Sequence, residues 1–196
     1  MTRKEIKEWA AETVRNIFHG RSAQNEHNKK LRLLITGKCP NKCPMCCNNR
    51  FDLEKIPVVE GFDQYDEINI TGGEPMLFPY DLYDIISDIR HIEQYTGKHK
   101  TVYLYTSKMP KDDILDLVDG ICYTPHSKKD AEDFIRERER VESMSISLRL
   151  NVFPEVENYL PKDSELPQWK VKHIQWIKDC PVPQGEDFRR IDTLLI

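Results

Sequence analysis

The sequence predicts an α/β fold built on a parallel sheet, and three observations lead there. Short apolar runs of strand type recur along the chain, helical stretches fall between them, and turn residues stand where each element ends. Parallel strands need long crossovers, which the helical stretches supply. Six such strands can close into a partial barrel, with an N-terminal helix in front.

Thr2 with Glu5 forms a capping-box pattern, and Ile6, Trp9, Ala10, Val14, Ile17 and Phe18 follow at helical spacing. Residues 19–30 are polar and read as a linker, so residues 1–30 form a helix-and-linker segment. A core follows over 31–183, with a tail over 184–196. Residues 31–36 are a buried-type strand ended by Gly37. A second strand, 67–71, stops at Gly72-Gly73-Glu74-Pro75, and Pro79 opens a helix with Leu82, Ile85, Ile86, Ile89 and Ile92 on one side. Strands at 101–106 and 121–124 flank a helix at 112–118, and Ser127 caps a charged helix ending near Glu142. Its run 136–142 reads as a solvated face with ion pairs at helical spacing. Residues 145–152 alternate strictly, with Ser145, Ser147, Arg149 and Asn151 on one face. That polar stripe points one face of the sheet at a cavity. A sixth strand is expected at 171–177, a Pro-punctuated stretch at 153–167 stands in for the helix before it, and the chain after Pro181 is irregular by pattern.

At 196 residues the chain has room for one full domain, and a monomer of this size buries roughly 70% of its unfolded surface. Hydrophobic residues make up 39% and charged residues 32%, no apolar run reaches membrane-span length, and the first residues are unlike a signal peptide. A cytosolic location is the default expectation. The net charge of −4 provides no broad basic footprint for nucleic acid, although residues 1–50 carry 11 Lys and Arg against 4 Asp and Glu.

Four of the six cysteines, Cys39, Cys43, Cys46 and Cys47, fall within nine residues, a density that reads as metal or redox chemistry. Cys39, Cys43 and Cys46 have the spacing C-x3-C-x2-C on a loop after a strand. Three thiolates so placed can hold three irons of a four-iron cluster and leave the fourth open. Together with Gly72-Gly73-Glu74-Pro75 after the next strand, about thirty residues on, this resembles the radical S-adenosylmethionine superfamily.

The resemblance implies a partial (βα)6 barrel of TIM-like form, one [4Fe-4S] cluster held by Cys39, Cys43 and Cys46, and S-adenosylmethionine chelated to the open iron. It implies reductive cleavage of S-adenosylmethionine to a 5′-deoxyadenosyl radical, an oxidoreductase chemistry fed by an electron donor such as flavodoxin or ferredoxin. By the same resemblance Gly72, Gly73 and Glu74 bind the methionyl amino group, Arg149 and Asn151 its carboxylate or the ribose, and Ile174 to Trp176 the adenine. Ser107, Thr124 and His126 close strands at positions that commonly face the cofactor. Met45 stands where the family usually has an aromatic residue, and a soft apolar side chain can still pack the adenine.

A four-cysteine zinc site is the competing reading of the cysteines, but adjacent Cys46 and Cys47 point apart and zinc leaves the Gly-Gly-Glu-Pro motif unexplained. Cys47, Cys122 and Cys180 are expected to be bystander thiols. The core consumes nearly the whole chain, so one cluster is the maximum, and the preferred substrate is a small or nucleotide-like molecule. Residues 103–107 and 115–119 faintly resemble small activases of anaerobic ribonucleotide reductase, which generate a glycyl radical on a partner enzyme. A non-catalytic cluster-binding module is the third alternative.

Overall fold

Leucine and isoleucine at every second position of Lys30–Thr36 make strand β1, the centre from which the sheet grows in both directions. The computed structural model describes residues 29–43, 45–49, 51–177 and 181–196. The helix expected over residues 2–18, its linker up to 28, and Cys180 lie outside the described residues. After β1 come β2 (Glu67–Thr71), α1 (Pro79–Thr96), β3 (Thr101–Thr106), α2 (Asp112–Leu115) and β4 (Gly120–Tyr123). The chain continues with α3 (Lys128–Glu142), β5 (Ser147–Val152), α4 (Pro154–Glu157), β6 (Trp169–His173) and β7 (Glu186–Leu195). The fold is mixed α/β, with seven parallel strands in the order β6-β5-β4-β3-β2-β1-β7 and four α-helices among the described residues.

Local chemistry explains the helix ends. Pro79 sits in the first turn of α1, and Gly97 terminates it at φ 66°, donating its N–H to the carbonyl of Glu93. Ser127 caps α3 by accepting from the Asp130 N–H, as the pattern predicts.

From β1 to β6 the strand order is the chain order. Right-handed crossovers that all step the same way place their helices on one face of the sheet. The core follows this rule. Leu31, Leu33, Ile70, Leu104, Ile121 and Leu150 belong to one cluster with Leu82, Ile86 and Ile89 of α1 and Phe134 and Val141 of α3. The intervening strand residues face the other way and are polar or aromatic: Arg32, Asn69, Tyr103, Tyr105, Cys122, Arg149 and Asn151. Arg32 lies 4.8 Å from the centre of the Tyr105 ring, across the intervening β2.

Two sequence expectations are corrected here. The tail is a ten-residue strand, β7, paired along β1, and the sixth strand ends at His173 rather than 177. β7 lacks an alternating pattern because it is an edge strand with neither face fully buried, so its place is set by backbone pairing. Thr36 donates to the carbonyl of Leu195, and the backbone of Pro57 and Val59 bonds Arg190 along the outer edge of β7. Between β6 and β7 the chain passes from one edge of the sheet to the other. Gly185 turns it into β7 at φ 84°, where a side chain would be strained.

Tyr65, 3% exposed, donates to Asp187 Oδ2 at 2.6 Å and ties β7 to the loop before β2. Burial and the adjacent carboxylate push its phenol up to about 12. The folded pKa lies above the ordinary value near 10, so this contribution is complete below pH 10 and is lost as pH rises through 12. Chemical denaturation at stepped pH is expected to show falling stability over that window, with a shallower fall in Tyr65→Phe.

Candidate functional site

A cavity of about 360 Å³ opens at the C-terminal ends of the parallel strands, where α/β sheets ordinarily bind ligands. Cys39, Cys43 and Cys46 line it, as do Gly72, Gly73 and Glu74 after β2, Ser107 after β3, and Ile174 and Trp176 after β6. The sequence-predicted positions Met45, Thr124 and His126 line it too. All but two of the residues singled out from the sequence as metal or cofactor contacts therefore share one space. The remaining two stand apart from it. Arg149 and Asn151 are on the inward face of β5 but are not among the lining residues.

The reason is the register of β3, β4 and β5. Tyr103 faces Gly120, and a Cβ there would lie 2.5 Å from the Tyr103 ring. With only hydrogen at that position, the ring lies over β4 and meets the Arg149 guanidinium, whose Cζ is 3.8 Å from the ring centre. The Tyr103 ring is thus the partner the fold supplies to Arg149. Asn151 donates to Cys122 Sγ at 3.1 Å and to Thr124 Oγ1 at 3.2 Å, so it supports a residue of the cavity wall from beneath.

The cysteine loop leaves β1 through a short bonded path. Lys38 donates its N–H to Thr36 Oγ1, Cys46 donates to the Cys43 carbonyl, and Asn48 and Asn49 clamp the carbonyls of Gly37 and Cys43. Asn41 reaches Ser107 Oγ at 3.1 Å, joining the loop to the end of β3. All three thiols are free. Burial, reinforced by the neighbouring thiols of Cys46 and Cys39, pushes Cys43 up to about 11. Cys39 is raised as well, chiefly by burial. Such thiols stay protonated at neutral pH unless a cationic centre draws off their protons. Among the described residues no three His, Cys, Asp or Glu side chains converge on a single ion position. A four-iron cluster takes one thiolate per iron, so its donors need not converge. Three unpaired thiols on one loop, facing one cavity, are a donor set that fits such a group.

Close packing accounts for the two glycines. A Cβ on Gly72 would come within 2.6 Å of the Thr36 carbonyl oxygen, and one on Gly73 within 2.0 Å of the Lys38 carbonyl oxygen. Gly73 and Glu74 donate their N–H groups to those same two carbonyls, at 2.7 and 2.8 Å. The segment after β2 thus extends the β1–β2 pairing into the root of the cysteine loop. Glu74 is 1% exposed, yet its carboxylate accepts four bonds: Met76 N–H and Thr106 Oγ1 on one oxygen, Ser107 N–H and Ser107 Oγ on the other. Those bonds satisfy the charge within the protein and bind the ends of β2 and β3 together.

Several contributors carried no signal in the sequence. Asp130, 4% exposed, accepts from the backbone N–H of His126 and so sets that residue in the wall. Phe153 stacks on Trp176 with ring centres 4.0 Å apart, and His126 lies against both. Burial holds His126 below its ordinary pKa, in the neutral form at pH 7. The alternating pattern made Arg32 and Tyr105 inward residues only once the face was known.

Compared with known proteins, the chain matches no family model and no curated protein sequence.

Glu74→Gln sets an amide N–H₂ against hydrogen-bond donors in a buried site. It is expected to cost about 2–3 kcal/mol in urea unfolding, within the range for a broken charged bond. Gly73→Ala is expected to cost more, because the atom it meets is backbone; the midpoint shift of the two variants in the same titration checks the order.

Proposed function

We propose that this chain is a radical S-adenosylmethionine enzyme acting on a small molecule within the cavity. The observation that carries the reading is the meeting, in one space, of the free thiols of Cys39, Cys43 and Cys46 with the Gly72-Gly73-Glu74 segment. The chain-order sheet supports it from the fold. A parallel sheet with helices on one face must shield the other, and curling into a partial (βα)6 barrel does so while enclosing the polar face.

When bound at the three thiolates, a [4Fe-4S] cluster supplies the electron that cleaves S-adenosylmethionine to methionine and a hydrogen-abstracting 5′-deoxyadenosyl radical. The protein's own contributions are positional. Cys39, Cys43 and Cys46 would hold the irons, and the peptide groups of Gly72 and Gly73 offer carbonyl acceptors for an ammonium group. Glu74 keeps those peptides in place through Thr106 and Ser107. Ile174, Trp176 and Phe153 form an apolar and aromatic wall suited to a purine.

Ile174 and Trp176 after β6 and Pro181, Val182 and Pro183 before β7 also line the cavity and add to its apolar wall. A cavity of about 360 Å³ with an aromatic wall favours a small substrate.

Anaerobic reconstitution with iron and sulfide, followed by dithionite and S-adenosylmethionine, is expected to yield 5′-deoxyadenosine. Cys43→Ala should lower the yield at least a hundredfold. No 5′-deoxyadenosine from the parent chain, or an undiminished yield from the variant, overturns the proposal.

A further inference from the structure

Among the described residues Arg32 is the only arginine or lysine lining the cavity, and it enters from the sheet rather than from the loops above. Its Nε donates to Glu186 Oε2 at 2.6 Å, and its guanidinium lies against Tyr105. Arginine carries five N–H donors on a permanently charged fork, and Glu186 and Tyr105 engage at most two of them. The group is held rigidly while most of its donors remain uncommitted beside a hollow. Desolvated donors in a cavity wall call for acceptors.

The neighbouring wall is apolar. Phe188 pairs with Arg32 across β1 and β7 and meets the Phe51 ring edge-on, with ring centres 5.7 Å apart, and Leu34 is the next inward residue of β1. Arg32 lies four residues before Thr36, roughly 13 Å down the strand at the usual rise. The cysteine loop begins beyond Thr36. Thr36 accepts from the Gly73 N–H, so an extended molecule anchored at Arg32 would present its far end toward the level of Gly72 and Gly73.

We propose that Arg32 binds an oxyanion, carboxylate or phosphate, at the floor of the cavity, so that the substrate is a small acidic molecule with an apolar body. The proposal rests on the reading of this cavity as the substrate chamber of a radical enzyme. Glu186 acts as a positioning residue that aims the guanidinium fork.

The test uses the full chain without cluster, titrated with phenyl phosphate, benzoate and uncharged benzyl alcohol, and followed by calorimetry and the Arg32 Nε–H resonance. At least one anion is expected to bind tenfold or more tightly than the alcohol and to shift that resonance. A preference for benzoate identifies a carboxylate substrate and a preference for phenyl phosphate a phosphate ester. Arg32→Met combined with Glu186→Gln removes the pair without stranding a charge and should weaken binding at least tenfold. Arg32→Lys keeps the charge, loses the fork, and should weaken it at least threefold if the double variant does not fold. No anion binding, equal binding of the alcohol, or unchanged affinity in the folded variants overturns the proposal. The Cys39→Ala/Cys43→Ala/Cys46→Ala chain is expected to retain anion binding. Anion binding by a parent chain that yields no 5′-deoxyadenosine removes the radical reading and leaves the oxyanion site. The opposite pair of results removes the site and leaves the radical reading.

Discussion

The buried carboxylate of Glu74 is the contact on which the cavity depends. It accepts from the end of β3 through Thr106 and Ser107 and from its own turn through Met76. Its backbone N–H at the same time donates to Lys38, at the root of the cysteine loop. One residue thereby sets the spacing of three chain segments that end at the same level. A charge this deep is tolerated only because all its acceptor capacity is used by nearby donors, and that requirement in turn fixes Thr106 and Ser107.

The glycines beside it serve the same convergence. At Gly72 and Gly73 the backbone passes so near the carbonyls of Thr36 and Lys38 that no side chain fits. The motif therefore has a structural role of its own. It welds the end of β2 to the start of the cysteine loop. Gly120 does the equivalent deeper in the sheet, where its missing side chain lets Tyr103 stack on Arg149. This stack and the Arg32 to Tyr105 contact each span an intervening strand, so the polar face is a connected layer rather than a set of isolated side chains.

Much of the local structure was legible in the chain because its causes are local. The second and third strands and the charged helix after Ser127 fall where the patterns place them, since alternation, capping and proline act within a few residues. The cysteine triplet and the Gly-Gly-Glu-Pro segment were legible for the same reason, each being a contiguous motif. The contact of Arg149 with Tyr103 was not legible, because it depends on which residue of β4 lies beside Tyr103, a matter of register across two strands. β7 was missed because an edge strand with half-exposed faces leaves no periodic mark.

By itself the sequence determined the element types, an α/β class with strands joined by helices, and the two motifs that a ligand-binding loop would need. Those properties follow from neighbours along the chain. Only the tertiary structure decided that the strands run in chain order with their helices on one face. Only there does Arg32 stand in the wall of the same cavity as the cysteines. These are relations between segments far apart in sequence. Backbone pairing and the satisfaction of buried charge set them, and neither is written in any short stretch of residues.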